Sequence, residues 1–318
     1  MSAFLQHFPT AVGLLALAWV GAGAADRTAS DLLRGAIDLH CHSAPDVVAR
    51  SVNDVQLAAS ARAAGLRGLV IKNHYTSTAG RAQLAMLAVP GIEIFGGIAL
   101  NRAVGGLNAE AVLRLAETDG HRGRVVWLPT FDAENAVRAA GENRPSVAVV
   151  ANGQPVPELA GVFAVMARHN LVLATGHSSA AESLVLIAAA RAAGIKQIVV
   201  THTLFPSLRA SDADLRAMAK LGAWIELAWL MHYAPAPGPG VPAALARPQV
   251  PLARAVEVIR TIGARHIVLS SDFGQAANPP PPEGLRSFVA NLLAAGITPA
   301  EIDLMLRRNP ARVLGLLP

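Results

Sequence analysis

The sequence predicts a single-domain α/β protein, a (β/α)8 TIM barrel. Three observations carry this. Eight short apolar runs alternate with Ala/Leu-rich helical stretches from Asp31 to the C-terminus. Each strand–helix unit takes roughly thirty residues or more, the size of a βα unit. No Gly-x-Gly-x-x-Gly follows the first strand, which disfavours a dinucleotide-binding open sheet. With 318 residues, 53% hydrophobic and 15% charged, the chain can build one large core, and its composition is not that of a disordered chain.

The elements follow in order. Ala36–His42 reads as the first strand. Asp54–Ala64 places Val55, Leu57 and Ala58 on a helical period and stops at Gly65 as a C-cap. Leu66–Lys72 is the second strand, followed by Asn73-His74 and a helix over 79–88. Ile92–Leu100 is the third, entering a Gly-rich turn at 101–106 and a helix over 108–117. Arg124–Pro129 is the fourth, leading to Thr130-Phe131-Asp132. Residues 133–157 are polar and broken by Gly and Pro, with a hairpin expected at Asn152-Gly153.

Glu158–Arg168 is helical. Leu171–Thr175 is the fifth strand, ending in Gly176-His177-Ser178, with a helix over 181–193 after it. Gln197–Thr201 is the sixth, ending in His202, then a helix over 212–220. Trp224–Trp229 is the seventh. Residues 234–251 are rich in Pro, Ala and Gly and read as an active-site loop. Leu252–Thr261 is helical. His266–Ser271 is the eighth strand, ending in Asp272, and helices over 283–295 and 299–308 close the chain.

Residues 11–25 are apolar but short for a membrane span. Ala22-Gly23-Ala24 has the small-x-small form of a signal-peptidase site, although Met1–Pro9 lacks Lys and Arg. Residues 1–25 are therefore expected to be a signal peptide or an N-terminal extension, with the barrel over 26–318. The protein is exported, periplasmic or secreted, in the first case and cytoplasmic in the second. No membrane span remains after processing.

The net charge is +5, but the arginines are scattered without aromatic interleaving, so no nucleic-acid partner is expected. A small molecule is the expected partner, and a homo-oligomer is compatible with the sequence. Cys41 is the single cysteine, which excludes an internal disulfide. It reads as a buried packing residue.

In such a barrel, active residues sit where strands end. Of the ten histidines, His40, His42, His74, His177 and His202 fall there. His7, His121, His169 and His266 do not, and His232 follows the seventh strand. Alternation along strands puts Asp38, His40 and His42 on one face. It does the same for Leu171, Leu173, Thr175 and His177, for Ile198, Val200 and His202, and for Val268, Ser270 and Asp272. Imidazoles and a carboxylate converging at a buried mouth need a metal or water to satisfy them. The donors suit zinc, with manganese or iron as alternatives.

Asp-Leu-His-Cys-His on the first strand, Thr-Gly-His177 on the fifth, Val-Thr-His202 on the sixth and Ser-Ser-Asp272 on the eighth resemble the amidohydrolase superfamily of metal-dependent hydrolases. Asn309-Pro310-Ala311-Arg312-Val313-Leu314-Gly315-Leu316 is similar to that family's C-terminal segment. The resemblance covers about Asp31 to Pro318, looks closest to a little-characterised branch, and does not carry the substrate. It implies that His40, His42 and Asp272 bind the more buried of one or two metals. His177 and His202 would bind a second, or one of them would orient substrate. Asp272 would also accept a proton from the activated water.

One departure is at the fourth strand. Binuclear members carry a bridging lysine carbamate or glutamate there, where this chain offers Thr130 and Asp132. Lys72, in register with His74, is then a carbamate bridge from an unusual strand, a cation that binds substrate or stabilises an oxyanion, or a salt-bridged rim lysine. Arg102 either clamps a substrate carboxylate or pairs with Asp132. His74 and Asn73 are further substrate-binding candidates, and Asp46 and Asn73 are candidates for fixing ligand tautomers. Arg50 and Arg81 read as solvated. Trp224 and Trp229 read as packing.

The expected activity is hydrolysis of an amide, lactone or related C–N or C–O bond in a small substrate, which bears a carboxylate if Arg102 is a clamp for one. The alternatives are decarboxylation of a small unsaturated or aromatic acid, a phosphoesterase, and a non-catalytic metal- or solute-binding barrel. Asp272 beside the ligands argues against the last, since binding alone needs no proton acceptor.

Overall fold

The computed structural model describes residues 28–235 and 249–316. One sheet of eight strands runs in the order β1 (Ile37–Cys41), β2 (Gly68–Ile71), β3 (Glu93–Ala99), β4 (Gly123–Trp127), β7 (Val172–Ala174), β8 (Gln197–Val200), β9 (Trp224–Ala228) and β10 (Ile267–Ser270). Every neighbouring pair is parallel. The ring closes just past the end of β10. Asp272 N donates to His40 O at 2.9 Å and His42 N to Phe273 O at 2.7 Å.

Parallel neighbours require a crossover, and helices supply it. These are α1 (Asp54–Ala63), α2 (Ala79–Ala88), α3 (Ala109–Glu117), α5 (Leu159–Arg168), α6 (Ala180–Ala192), α7 (Asp212–Lys220), α8 (Leu252–Ile262) and α9 (Pro281–Ala294). Sequence sets their starts. Asn53/Gln56, Ser179/Glu182 and Ser211/Asp214 form reciprocal capping boxes before α1, α6 and α7.

The segment expected as a loop over 133–157 holds a short helix, α4 (Glu134–Ala139), and the hairpin β5 (Val150–Ala151) with β6 (Gln154–Pro155) around Asn152-Gly153. The closing helix expected over 299–308 is present and runs on to 313: α10 (Pro299–Asp303) passes through a π-helical turn, Leu304–Arg308, into α11 (Asn309–Val313).

Two apolar layers hold the barrel. Outside, Leu57, Leu186, Ile259 and Phe288 pack helices on the sheet. Inside, Ile37, Val70, Phe95, Val125, Val172 and Val268 fill the ring. Val313 and Leu314 join the inner cluster and plug the end where strands begin. Asn309 fixes that plug by donating from Nδ2 to Ala264 O and Ile267 O at 2.9 and 2.7 Å. Cys41 is buried and unpaired, as expected.

The signal or extension expected at 1–25 lies outside the described residues, as does most of the loop expected at 234–251. Among the described residues, no helix is long and apolar enough to cross a membrane.

Candidate metal centre

The side chains that converge at the mouth get there by three local devices. The first is a register irregularity in β1, between Asp38 and Cys41. Leu39 packs in the inner cluster with Ile37, while Cys41 belongs to the outer layer. His40 and His42 both face the mouth, their ring centroids 5.4 Å apart. Asp38 does not share their face. Its Oδ1 accepts from the backbone of His40 and of Ser271, both at 3.1 Å. A bulge re-aims side chains in this way.

The second device corrects the alternation expected for the fifth and sixth strands. Leu171, Leu173, Ile198 and Val200 pack outward, and Val172, Ala174 and Val199 face in. His177 and His202 lie past the strand ends and enter the mouth through turns with positive φ. Gly176 has φ +64°, and a Cβ there would meet Leu128 O, so the position demands glycine. His202 itself has φ +26°.

The third device is Asp272, which lies two residues past the end of β10 at φ +54°. Non-glycine residues in such conformations persist only where the surroundings hold them.

His40 Nε2 and His42 Nε2 lie 3.0 and 3.1 Å from Asp272 Oδ1. All three side chains are buried, and their ligand atoms fall within 4.8 Å of one another. His202 Nε2 is 3.2 Å from His177 Nε2, and the His202 ring stacks on His40 at 5.8 Å. Lys72 Nζ is 2.9 Å from His40 Nε2 and sits over the Trp127 ring at 5.4 Å. Lys72 is 1% exposed, so the rim reading of this lysine is overturned.

The residue the sequence reading missed is Glu226. It stands on β9, 2% exposed. Oε1 faces His40 Nδ1 at 3.1 Å and accepts from Ser270 Oγ at 2.8 Å; Oε2 accepts from His202 N at 2.6 Å. The available signal was a lone carboxylate inside the apolar run Trp224-Ile225-Glu226-Leu227. Glu226, not Asp46 or Asn73, fixes the tautomer of His40.

The electrostatics follow from burial and proximity. Burial opposes charge on Asp272, but the charge of His40 and hydrogen bonds from His40 and His42 hold its carboxyl well below the usual range. Burial likewise opposes charge on Glu226, and His40 outweighs it, bringing the group to about 2. Burial pulls Lys72 down to about 8, His42 to about 3 and His202 to about 4. His74 and His177 are also pushed well below the ordinary value by burial. Burial would lower His40 as well, but Asp272 and Glu226 raise it to about 9. Burial raises Asp38 to about 6.

These residues fit a divalent metal. With Nδ1–H given to Glu226, a neutral His40 turns a lone pair toward an anionic oxygen 3.0 Å away. Two acceptors that close require a proton or a cation between them. The raised pKa of His40 is the protonic answer. The Lys72 ammonium, 2.9 Å from His40 Nε2, is one cation already at hand. A metal ion is another, and donor spacings of 3.0–3.1 Å are near the edge of a tetrahedral zinc site, roughly 3.3 Å.

The other expected residues are placed as follows. His74 joins the cluster, stacked on His42 at 5.0 Å, with Nδ1 2.8 Å from Thr130 Oγ1. Asn73 Oδ1 accepts from Tyr75 N and Thr76 N, building its own turn. The Arg102 side chain is exposed, and its backbone N–H, not its guanidinium, meets Asp132; Arg144 takes that carboxylate.

Arg50 and Arg81 are not solvated. Arg50 pairs with buried Asp46 at 2.7 Å with its side chain 4% exposed, and Arg81 forks Asp54 and Ser43 O. Trp229 stacks on Phe288 and packs, as expected. Trp224 donates to Gln197 Oε1 at 2.9 Å.

Fold and site together define the class: a (β/α)8 barrel whose strand ends gather imidazoles, a carboxylate and a lysine at one buried mouth. Residues 35–226 match the family of unknown function DUF6282, and the chain belongs to that family.

Solved structures share the fold across nearly the whole chain. An amidohydrolase from Pseudomonas aeruginosa is 13% identical with a TM-score of 0.59, covering 91% of this chain and 98% of that one. An organophosphorus hydrolase from Deinococcus radiodurans is 16% identical with a TM-score of 0.55, covering 90% and 94%. A PTE-like lactonase variant from the same organism is 16% identical with a TM-score of 0.54, covering 90% and 97%. No curated protein matches the chain.

Proposed function

We propose that the protein is a metal-dependent hydrolase of a small molecule, cleaving an amide, lactone or related C–N or C–O bond. One observation carries the reading: His40 Nε2, His42 Nε2 and Asp272 Oδ1 meet at the mouth where barrel loops gather. His177 and His202 adjoin them and would hold a second ion or orient the substrate carbonyl. Imidazole and carboxylate donors suit zinc, with manganese or iron as the other candidates. An ion held there supplies a Lewis acid and lowers the pKa of a coordinated water toward ~7.

The chain's own residues do the rest. Glu226 orients His40 and ties β8, β9 and β10 together beneath the centre. Asp272, ionised at neutral pH, accepts a proton at its carboxylate and returns it to the leaving group. Lys72, drawn down to about 8, is available as a cation facing a developing oxyanion or as an amine open to carbamylation.

The test is metal analysis of purified protein followed by a panel of amides, esters, lactones and a phosphotriester. The names of the structural neighbours, lactonase and organophosphorus hydrolase, supply the last two probes. About one or two equivalents of a transition metal are expected, with chelator-sensitive release of acid and amine or alcohol. Release of carbon dioxide without hydrolysis replaces this reading with decarboxylation, and protein that takes up no metal ends it.

A further inference from the structure

A cavity of about 520 Å³ opens beside His177, a volume ordinary for a small-molecule site. Phe131 and Phe205 flank the imidazole, with ring centroids 5.9 and 5.1 Å from it. Ala136, Ala139 and Ala140 extend the apolar wall. Phe131 is 42% exposed although it stacks on His74 at 4.0 Å, so it offers a ring face to whatever enters.

Two arginines reach this cavity, and only one is committed. Arg144 bonds Asp132 Oδ1 at 2.7 Å, Glu142 Oε2 at 2.5 Å and Phe131 O at 2.6 Å, which also neutralises Glu142 in the wall. Arg209 has no carboxylate partner among the described residues. It adopts φ +52°, ψ +37°, the left-handed region where glycine or asparagine is the easy choice. A long cation kept in a strained conformation at a cavity edge points to a ligand. Its loop is also pinned to the metal centre. Asn135 Nδ2 donates to both His177 O and Ser207 O at 3.0 Å, so Arg209 is held in a fixed relation to the histidine.

We propose that this cavity is the substrate seat and that Arg209 binds the carboxylate of a small acid. The acid's aromatic or aliphatic body lies between Phe131 and Phe205. The inference rests on reading the His/Asp cluster as the hydrolytic centre, and it assigns the anion-recognising role to Arg209 in place of Arg102. A guanidinium meets a carboxylate through two parallel N–H donors, which a neutral isostere cannot match.

Binding of phenylacetate and of its neutral isostere phenylacetamide tests this by calorimetry, on both chelator-stripped and zinc-loaded protein. The wild type should prefer phenylacetate by about tenfold or more in both forms. Arg209→Gly should bring the two within about twofold, and Arg209→Lys should keep part of the preference. Arg209→Gly should melt no lower than wild type, because glycine relieves the left-handed strain, so lost preference is not lost folding. Phe205→Ala should weaken both ligands alike.

Equal binding in the wild type, or a preference that survives Arg209→Gly, overturns the proposal. A preference seen only with zinc and unaffected by Arg209→Gly places the carboxylate on the metal, which sinks this seat and leaves the hydrolase reading standing. An Arg209-dependent preference in protein that never takes up metal does the reverse.

Discussion

Glu226 Oε1 stands 3.1 Å from His40 Nδ1, so a carboxylate on β9 decides which nitrogen of a β1 histidine faces the mouth. The same carboxylate accepts from His202 N and Ser270 Oγ, joining β8 and β10 to the arrangement. One side chain thus sets the tautomer of His40 and the backbone position of His202.

Glu226→Gln is expected to weaken metal affinity by about 10–100-fold, the usual cost of losing a partner behind a ligating histidine. Competition with a chelator of known affinity measures it. Glu226→Ala also strands His40 Nδ1, Ser270 Oγ and His202 N and should cost about 1–3 kcal/mol for each buried group left unpaired. Unchanged affinity in Glu226→Gln would remove Glu226 from this role.

Asp272→Asn should fold and still take up metal, while turnover falls by about 10²–10⁴-fold, the range for a lost proton acceptor. His42→Ala should strip much of the metal instead. Elemental analysis beside initial rates separates the two effects. Wild-type turnover in Asp272→Asn would exclude it as the base.

Removing the metal should lower thermal stability. A ligand at 100 times its dissociation constant stabilises the fold by about 2.7 kcal/mol, so chelation should cost the protein about 4 °C in melting temperature. Zinc, manganese and iron(II) added back separately will rank the ions. A melting curve indifferent to chelator and metal alike would count against the centre.

Lys72 carries a pH signature in the chelator-stripped protein. Its pKa falls from 10.5 to about 8 on folding, so between those values the unfolded chain holds a proton the native one lacks. Stability therefore rises with pH across that window, by about 3 kcal/mol in full. His40 works the other way, because its pKa rises from 6.5 to about 9. Its contribution is complete below 6.5 and is lost as pH climbs through 9. The two offset between about 8 and 9, leaving the Lys72 rise clear above 9. Urea unfolding from pH 7.5 to 10.5 should show that rise, and Lys72→Met should abolish it. Native-mass measurement of the wild type will reveal any added carbon dioxide on Lys72.

Much of the frame was legible in local pattern. Strand–helix alternation, helix-ending glycines and the Asn152-Gly153 turn are signals carried by neighbouring residues, and each is in the fold. The strand-end rule also brought His40, His42, His74, His177, His202 and Asp272 to one mouth. Facing was less legible. Leu171 and Leu173 were expected on the side of His177 and point away from it, because alternation stops where the strand does and Gly176 turns the chain. Arg50 and Arg81 read as solvated since nothing local announces that Asp46 and Asp54 will bury with them.

The sequence alone determined the kind and order of the elements, since hydrophobic period and cap chemistry act within a few residues. Tertiary structure decided the partners. Glu226 meets His40 across 186 residues of chain, and Asn135 reaches both His177 and the loop of Arg209. Such contacts depend on ring closure and on positive-φ turns at strand ends, and neither leaves a periodic trace in the order of the amino acids.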